Sequence, residues 1–215
     1  MTTPVLNHTH SVQIDDALDF VDTLEFEQGK PVDHIEQPAD AVAWLQEHGL
    51  LHSGPDPQLD AATAPGPTGE AALAKVRSVR YALREILDAT YERRSPDPTA
   101  LETVNEQMRA QQRLVLVAGT DGCALDHRHE GDPLDDALAR ISDRIAREVS
   151  GDHADRIRVC ANDSCRWVFF DRSRTGRRRW CDMATCGNRA KAARHRARVR
   201  STEMANQDEA PAAGA

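Results

Sequence analysis

Two pairs of cysteines constrain this chain more than any other feature. Cys160 and Cys165 form a C-x4-C pair in "CANDSC", and Cys181 and Cys186 form another in "CDMATC", fifteen residues further on. A 27-residue stretch that polar cannot fold on hydrophobic burial alone, so a cross-link or a metal must supply the missing free energy. "MTTPVLNHTH" lacks a basic segment followed by an apolar run, and no stretch approaches 18 consecutive apolar residues. A cytoplasmic location and no membrane association are therefore expected. There, cysteines serve as metal ligands or free thiols rather than as disulfides. Zinc takes four thiolates in a tetrahedron, and four sulfurs leave it no open position for substrate, so one structural Zn2+ is expected. An iron–sulfur cluster also takes four cysteines, but the basic flanks suit a binding module better than an electron carrier.

The residues around the pairs suggest how they meet. "RWVFF" (166–170) has strand composition, "DRSRTGRRR" (171–179) supplies a turn at Gly176, and "RW" leads into Cys181. The expected order is knuckle, hairpin, second pair and helix, a treble-clef-like arrangement. Charge is split along the chain. The formal net charge is -8, yet residues 156–200 hold 14 basic residues against three acids. That asymmetry points to a polyanion-binding module. From Arg189 to Arg200 there are six basic residues in twelve and no acid. An exposed helix would normally interleave acids at i, i+4; a phosphate backbone can take their place. The candidate nucleic-acid contacts are Arg172, Arg174, Arg177, Arg178 and Arg179 on the turn, and Asn188, Arg189, Lys191, Arg194, Arg196 and Arg198 on the helix. Arginine outnumbers lysine 13 to 1 here, which suits forked contacts to phosphate or guanine. Ala190, Ala193 and Ala197 form a narrow stripe that would let this helix lie against the hairpin. Asn188 could cap the helix, the favoured reading, or contact adenine, while Gly187 would permit an unusual backbone turn after the last cysteine.

Upstream the chain reads as mainly helical. With 40% hydrophobic but only 4% aromatic residues, the core must be aliphatic. Helical spacing covers 15–26, 36–51, 70–93, 97–111 and 132–151, and 70–93 is the longest. Residues 52–69, rich in Pro, Gly and Ala, read as a loop, and 113–119 with 123–129 as a hairpin. The fold class is thus mainly α (α+β): a helical domain over 15–152 with a small β-hairpin, then a treble-clef-like four-cysteine zinc finger over 156–200. Residues 1–14 are expected to be flexible and 201–215 disordered.

Several motifs together resemble a known family. Cys160, Cys165, "WVFFDRSR", "RRWC", then Cys186-Gly187-Asn188-Arg189, Lys191 and "RHRAR" are similar to the CGNR zinc finger. "LDFVDTLE", "ADAVAWLQEHGLL" and "LREIL…LETVNEQM" resemble the helical ABATE domain that precedes this finger in proposed bacterial stress-induced transcription regulators. Asp22 stands where that family more often has Asn. The resemblance implies a zinc-dependent DNA-binding module behind a regulatory or dimerising domain.

Weaker signals carry less. His127 and His129 share a strand face but lack further ligands, and "HIE" (34–36) lacks the PCxxC partner of zinc deaminases. Trp44 reads as core, and Cys123 as a free thiol in a strand. No nucleophile–base pair, phosphate loop or open metal site is evident, so an enzyme is not expected. The expected function is a zinc-dependent DNA-binding transcription regulator, with duplex DNA as partner, a homodimer and a small-molecule effector being compatible with it. The alternatives are an RNA-binding protein and a protein-interaction module that places the basic arm on an acidic partner, including the chain's own acidic domain.

Overall fold

The computed structural model describes residues 12–27, 29–52, 54–109, 113–119, 122–128 and 131–208. Helix formation follows the apolar spacing. α1 (Ile14–Asp22) buries Ile14, Ala17, Leu18 and Val21, and two acids open its first turn. The expected helix over 15–26 stops at Asp22. Thr23 Oγ1 donates to the Phe20 carbonyl, and the chain turns into β1 (Leu24–Glu27), antiparallel to β2 (Lys30–Asp33). The cause is long-range. The buried Arg80 guanidinium donates to both Asp33 carboxylate oxygens at 2.7 Å and to Thr23 Oγ1 at 2.9 Å. Such a forked, charge-assisted pair ties the ribbon to the helix behind it.

α2 (Pro38–Glu47) begins with a capping box between Gln37 and Asp40 and ends before Gly49, whose φ of +66° suits glycine. The expected loop over 52–69 contains α3 (Pro57–Thr63), started by Asp56, whose carboxylate accepts from Gln58 and Leu59, with proline at the first helical position. α4 (Pro67–Glu92) is the scaffold, packing against α1, α2, α3 and two further helices, α5 (Pro98–Arg109) and α6 (Pro133–Ser150). Its stripe of Val76, Val79, Leu83, Ile86 and Leu87 meets Leu134, Leu138, Ile141 and Ile145 of α6 in one aliphatic core. The expected hairpin is present as β3 (Arg113–Gly119) paired with β4 (Gly122–Arg128). Trp44 is partly buried against this core, 5.6 Å from the Phe20 ring and stacked on His48. No helix is long and apolar enough to cross a membrane among the described residues.

The cysteine-bearing segment shares that core. β5 (Ile157–Val159) and β6 (Val168–Phe170) pair antiparallel, and Ile157, Val159 and Val168 are buried in the same cluster as α1 and α4. Strand 166–170 was expected to lead a hairpin between the two cysteine pairs. It pairs instead with the segment before Cys160, so the first pair sits at the hairpin's tip. Residues 171–179 form an irregular loop because Asp171, fully buried, accepts from the N–H groups of Ser173 (2.9 Å) and Arg178 (2.8 Å). Arg156 fills the loop, donating to the Ser173 carbonyl at 2.6 Å. Gly176, at φ +62°, passes so close that a Cβ would lie 2.9 Å from the Arg156 guanidinium. The last element, α7 (Asn188–Asp208), runs through 201–208, where disorder was expected. Residues 1–11, most of the expected flexible N-terminus, and 209–215 lie outside the described residues, as does His129.

Candidate metal centre and basic helix

The first cysteine pair sits in a tight knuckle. Cys160 N–H donates to the Trp167 carbonyl, and Cys165 and Arg166 N–H both donate to the Asn162 carbonyl. Arg166 takes a φ of +56°, which lets the chain reverse straight after Cys165. A 2.8 Å bond from Ala161 N–H to the Arg179 carbonyl brings the second pair alongside. Asp182 then opens a wide, π-type turn over Met183–Gly187, accepting from the Thr185 N–H at 2.7 Å and its hydroxyl at 2.8 Å. That turn points the Cys186 sulfur back at the knuckle.

The four Sγ atoms of Cys160, Cys165, Cys181 and Cys186 lie within 4.8 Å of one another. Cys165 and Cys181 are 3.7 Å apart, and Cys181 and Cys186 are 3.8 Å apart. A tetrahedron with Zn–S bonds of about 2.3 Å has edges of about 3.8 Å. The donor set fits one zinc ion, with all four ligand positions filled by protein. Asn162 Nδ2 donates to the Cys186 sulfur at 3.5 Å, the kind of outer contact that steadies a metal-bound thiolate. Without a cation the cluster is electrostatically frustrated. Hydrogen bonding from Cys181, foremost, lowers the Cys160 thiol to about 5. Burial and the Cys160 charge push Cys165 up to about 12, and hydrogen bonding with Cys160, followed by burial and like charge, pushes Cys181 up further. A divalent ion removes that conflict by ionising all four sulfurs together.

Asn188 does not act as the helix cap. Its Nδ2 donates to the Ala184 carbonyl at 2.9 Å, and Asp182 does the capping. Gly187 is needed for close approach rather than for an unusual φ: a Cβ there would lie 3.3 Å from the Trp180 ring and closer still to Met183. The turn directs α7 away from the body. Ala190 is half-buried, but Ala193 and Ala197 are exposed, so the small-residue stripe does not pack on the hairpin. Residues 191–201 are exposed throughout, so this stretch of the basic arm does not pack on the acidic domain of its own chain.

Arg189, Lys191, Arg194, Arg196 and Arg198 are carried on this projecting helix, and Arg172, Arg174, Arg177, Arg178 and Arg179 are all exposed on the loop. They are not equivalent. Arg172 pairs with Asp15 of α1 at 2.7 Å, a surface pair that an incoming phosphate can replace at little cost. Arg178 lies 5.0 Å over the Phe169 ring and donates to the Cys181 carbonyl, and Arg179 lies 5.1 Å over Trp180. Cys123 is free and exposed in β4, away from the cluster.

Sequence reasoning missed the contacts that seat the finger on the helical domain. Asp22, buried at the end of α1, accepts from the Val168 N–H at 3.0 and 3.2 Å. Arg84 of α4 donates to the Arg166 carbonyl at 2.8 Å and lies 3.5 Å from Asp22. Trp167 Nε1 donates to Glu25 at 3.0 Å. The residues just after Cys165 are thus held from α1, α4 and β1 at once. A cleft of about 450 Å³ lies beside this seat, lined by Glu25, Phe26 and Trp167 on one side and Asp182, Thr185 and Arg189 on the other, with three of the cysteines at its wall.

Burial drives the Asp22 carboxyl well above the usual carboxylate range, against the opposing pull of the Val168 N–H and Arg84. A group with a raised folded pKa favours folding most below its unfolded value of about 3.9, and this contribution falls as pH rises toward the folded value. Asp22→Asn keeps an acceptor for Val168 and removes the charge. Its stability relative to wild type should therefore improve progressively above about pH 4, read by urea unfolding across pH. A constant difference between the two chains across that range would show that Asp22 is not a buried, strained carboxylate.

Two family matches agree with this geometry. The family described as "CGNR zinc finger" matches residues 156–199, and the family described as "ABATE: Putative stress-induced transcription regulator" matches residues 15–152. No curated protein matches the chain. The ABATE match spans more than half of the chain and coincides with the helical body, while the CGNR match encloses all four sulfur ligands. The chain belongs to the ABATE family and carries a CGNR zinc finger at its C-terminal side.

Proposed function

We propose that the protein is a zinc-dependent, DNA-binding transcription regulator of the cytoplasm, with no catalytic activity of its own. The observation that carries this reading is α7. A 21-residue helix, about 31 Å long, leaves a four-cysteine metal centre with exposed arginines and no acid from Arg189 to Arg200. Such a helix is self-repelling in water and is relieved by a polyanion. Arginine-rich composition suits phosphate and guanine, and few aromatics are available for the base stacking that single-stranded RNA recognition favours. One small module rarely binds tightly alone, so two copies acting together fit this role. The cleft between β1 and the metal centre gives a stress signal or effector a place to act on domain and finger at once.

The test is a gel shift of the zinc-loaded protein on duplex DNA over a range of salt. The logarithm of the binding constant should fall linearly with the logarithm of salt, with a slope of about -4 to -6 for five or six phosphate contacts. A strong chelator should abolish the shift. Affinity that stays constant from low to high salt would overturn the reading, and tighter binding of a matched RNA would favour the RNA alternative.

A further inference from the structure

The side chains of α7 are sorted around its axis in a way that specifies how the helix meets DNA. At about 100° per residue, Arg189, Arg196 and Arg200 fall in one row, within about 40° of one another. Lys191, Arg194 and Arg198 fall in a second, centred about 170° from the first. The helix is therefore basic on two opposite flanks. Two faces remain between them. One starts at Cys186, Gly187 and half-buried Ala190, and so points at the metal centre and the finger body. The opposite face carries Asn188, Ala192, His195 and Val199, spaced i, i+4, i+7 and i+11. All four are exposed, and Val199 is among the few large apolar side chains that the described residues leave in solvent, at 41%.

We propose that α7 lies in the major groove of B-form DNA and bridges both strands, with the two basic rows on the two phosphate walls and Asn188, Ala192, His195 and Val199 facing the base edges. This rests on the reading of the protein as DNA-binding and deepens it. The major groove is about 12 Å wide, which a helix of about 10–12 Å fills, and phosphates then flank the helix on both sides. A helix lying across one backbone needs only one basic flank. The finger body, on the far side of α7 from the reading face, stays outside the groove. The four reading residues have the chemistry of base edges: the His195 imidazole and the Asn188 amide, whose Nδ2 is tied to the Ala184 carbonyl and whose Oδ1 is left to accept, for base donors and acceptors, and methyl groups for thymine. From Arg189 to Arg200 the helix covers about 16 Å, close to five base pairs. The deep, narrow major groove of A-form RNA cannot admit such a helix, so duplex RNA is excluded as the partner.

The experiment begins with selection from a randomised duplex pool by the zinc-loaded full chain, followed by interference footprinting on the selected duplex. Ethylated phosphates should block binding on both strands flanking a single major groove, N7-methylated guanine within it should also block, and a minor-groove ligand should not compete. Arg196→Ala with Arg200→Ala, and separately Arg194→Ala with Arg198→Ala, should each reduce the salt slope by about one to two while keeping the sequence preference. His195→Ala with Val199→Ala should leave the slope and lower the preference for the selected sequence about five- to hundred-fold. Phosphate interference on one strand only, competition by the minor-groove ligand, equal binding to the matched RNA duplex, or a selection yielding no preferred sequence would each overturn the proposal while leaving DNA binding intact. Failure of the zinc-loaded protein to bind any duplex at low salt would overturn both. The footprint is read on the wild-type chain, so it holds regardless of how the variants fold.

Discussion

Cys181→Ser is expected to reduce bound zinc from one ion per chain to none that survives a weak chelator, and to remove duplex binding with it. Cys181 is the sulfur from which the cluster is built outward, 3.7 Å from Cys165 and 3.8 Å from Cys186. A serine hydroxyl is not ionised at neutral pH and leaves three thiolates around an open position. Structural zinc sites supply on the order of 10 kcal/mol of folding free energy; the core contacts of β5 and β6 hold the hairpin, but the segment from Cys181 to Gly187 has little else to replace the metal. The turn Met183–Gly187 has one half of its support in the metal and the other in the Asp182 cap. Once the metal is lost, the Asp182 cap is left to hold the turn by itself, and the direction of α7 is no longer fixed. The helical body should survive, because its core of α1, α4 and α6 is aliphatic and separate from the sulfurs. The expected signature is therefore selective: lost metal and lost gel shift, with most of the cooperative unfolding transition retained. Cys123→Ser, at an exposed thiol of β4, is the control and should match wild type in every readout. Wild-type zinc content or DNA affinity in Cys181→Ser would mean that the metal does not organise the basic helix.

What could be read from the sequence was what is written over a few residues. The cysteine spacing, the acid-free arginine run and the apolar period of α4 and α6 are local, and each led to the element or cluster that the structure contains. What could not be read depended on partners far apart in the chain. The Arg80–Asp33 pair, 47 residues apart, turns the end of an expected helix into the ribbon β1–β2. The Asp22 and Arg84 contacts to residues 166–168 cross 146 and 82 residues. β6 pairs upstream because Asp171 bends the chain that follows it, and strand composition alone does not choose a partner. The missed helix α3 is a different case. Asp56-Pro57 is a local start signal, but the surrounding Pro, Gly and Ala concealed it. The alanine stripe of α7 was seen, but its packing was not, since small side chains permit close approach without requiring it.

Asp171→Ala is expected to destabilise the finger by about 2–4 kcal/mol and to weaken zinc binding without touching a ligand. The carboxylate is fully buried and its two oxygens accept separately, Oδ1 from Ser173 N–H and Oδ2 from Arg178 N–H. Alanine leaves both backbone donors without their acceptor, and an unmet buried donor costs roughly 1–3 kcal/mol. The loop it closes delivers Arg179, whose carbonyl ties the second cysteine pair to Ala161 beside the first. The loss should therefore reach the metal as a faster transfer of zinc to a competing chelator. Burial would raise this carboxyl, but the polar surroundings at Ser173 and the hydrogen bonds from the Arg178 and Ser173 N–H groups outweigh it and hold it below the usual range. A depressed folded pKa contributes stability above the unfolded value of about 3.9 and loses it as pH falls through the folded value. The two buried aspartates thus pull in opposite directions: Asp22 favours folding when protonated, Asp171 when ionised. The Asp171→Ala deficit should be full at neutral pH and shrink on acidification below about pH 4, measured by urea unfolding alongside zinc transfer. A deficit unchanged down to about pH 3, or zinc transfer as slow as in wild type, would show that the loop holds its shape without the carboxylate.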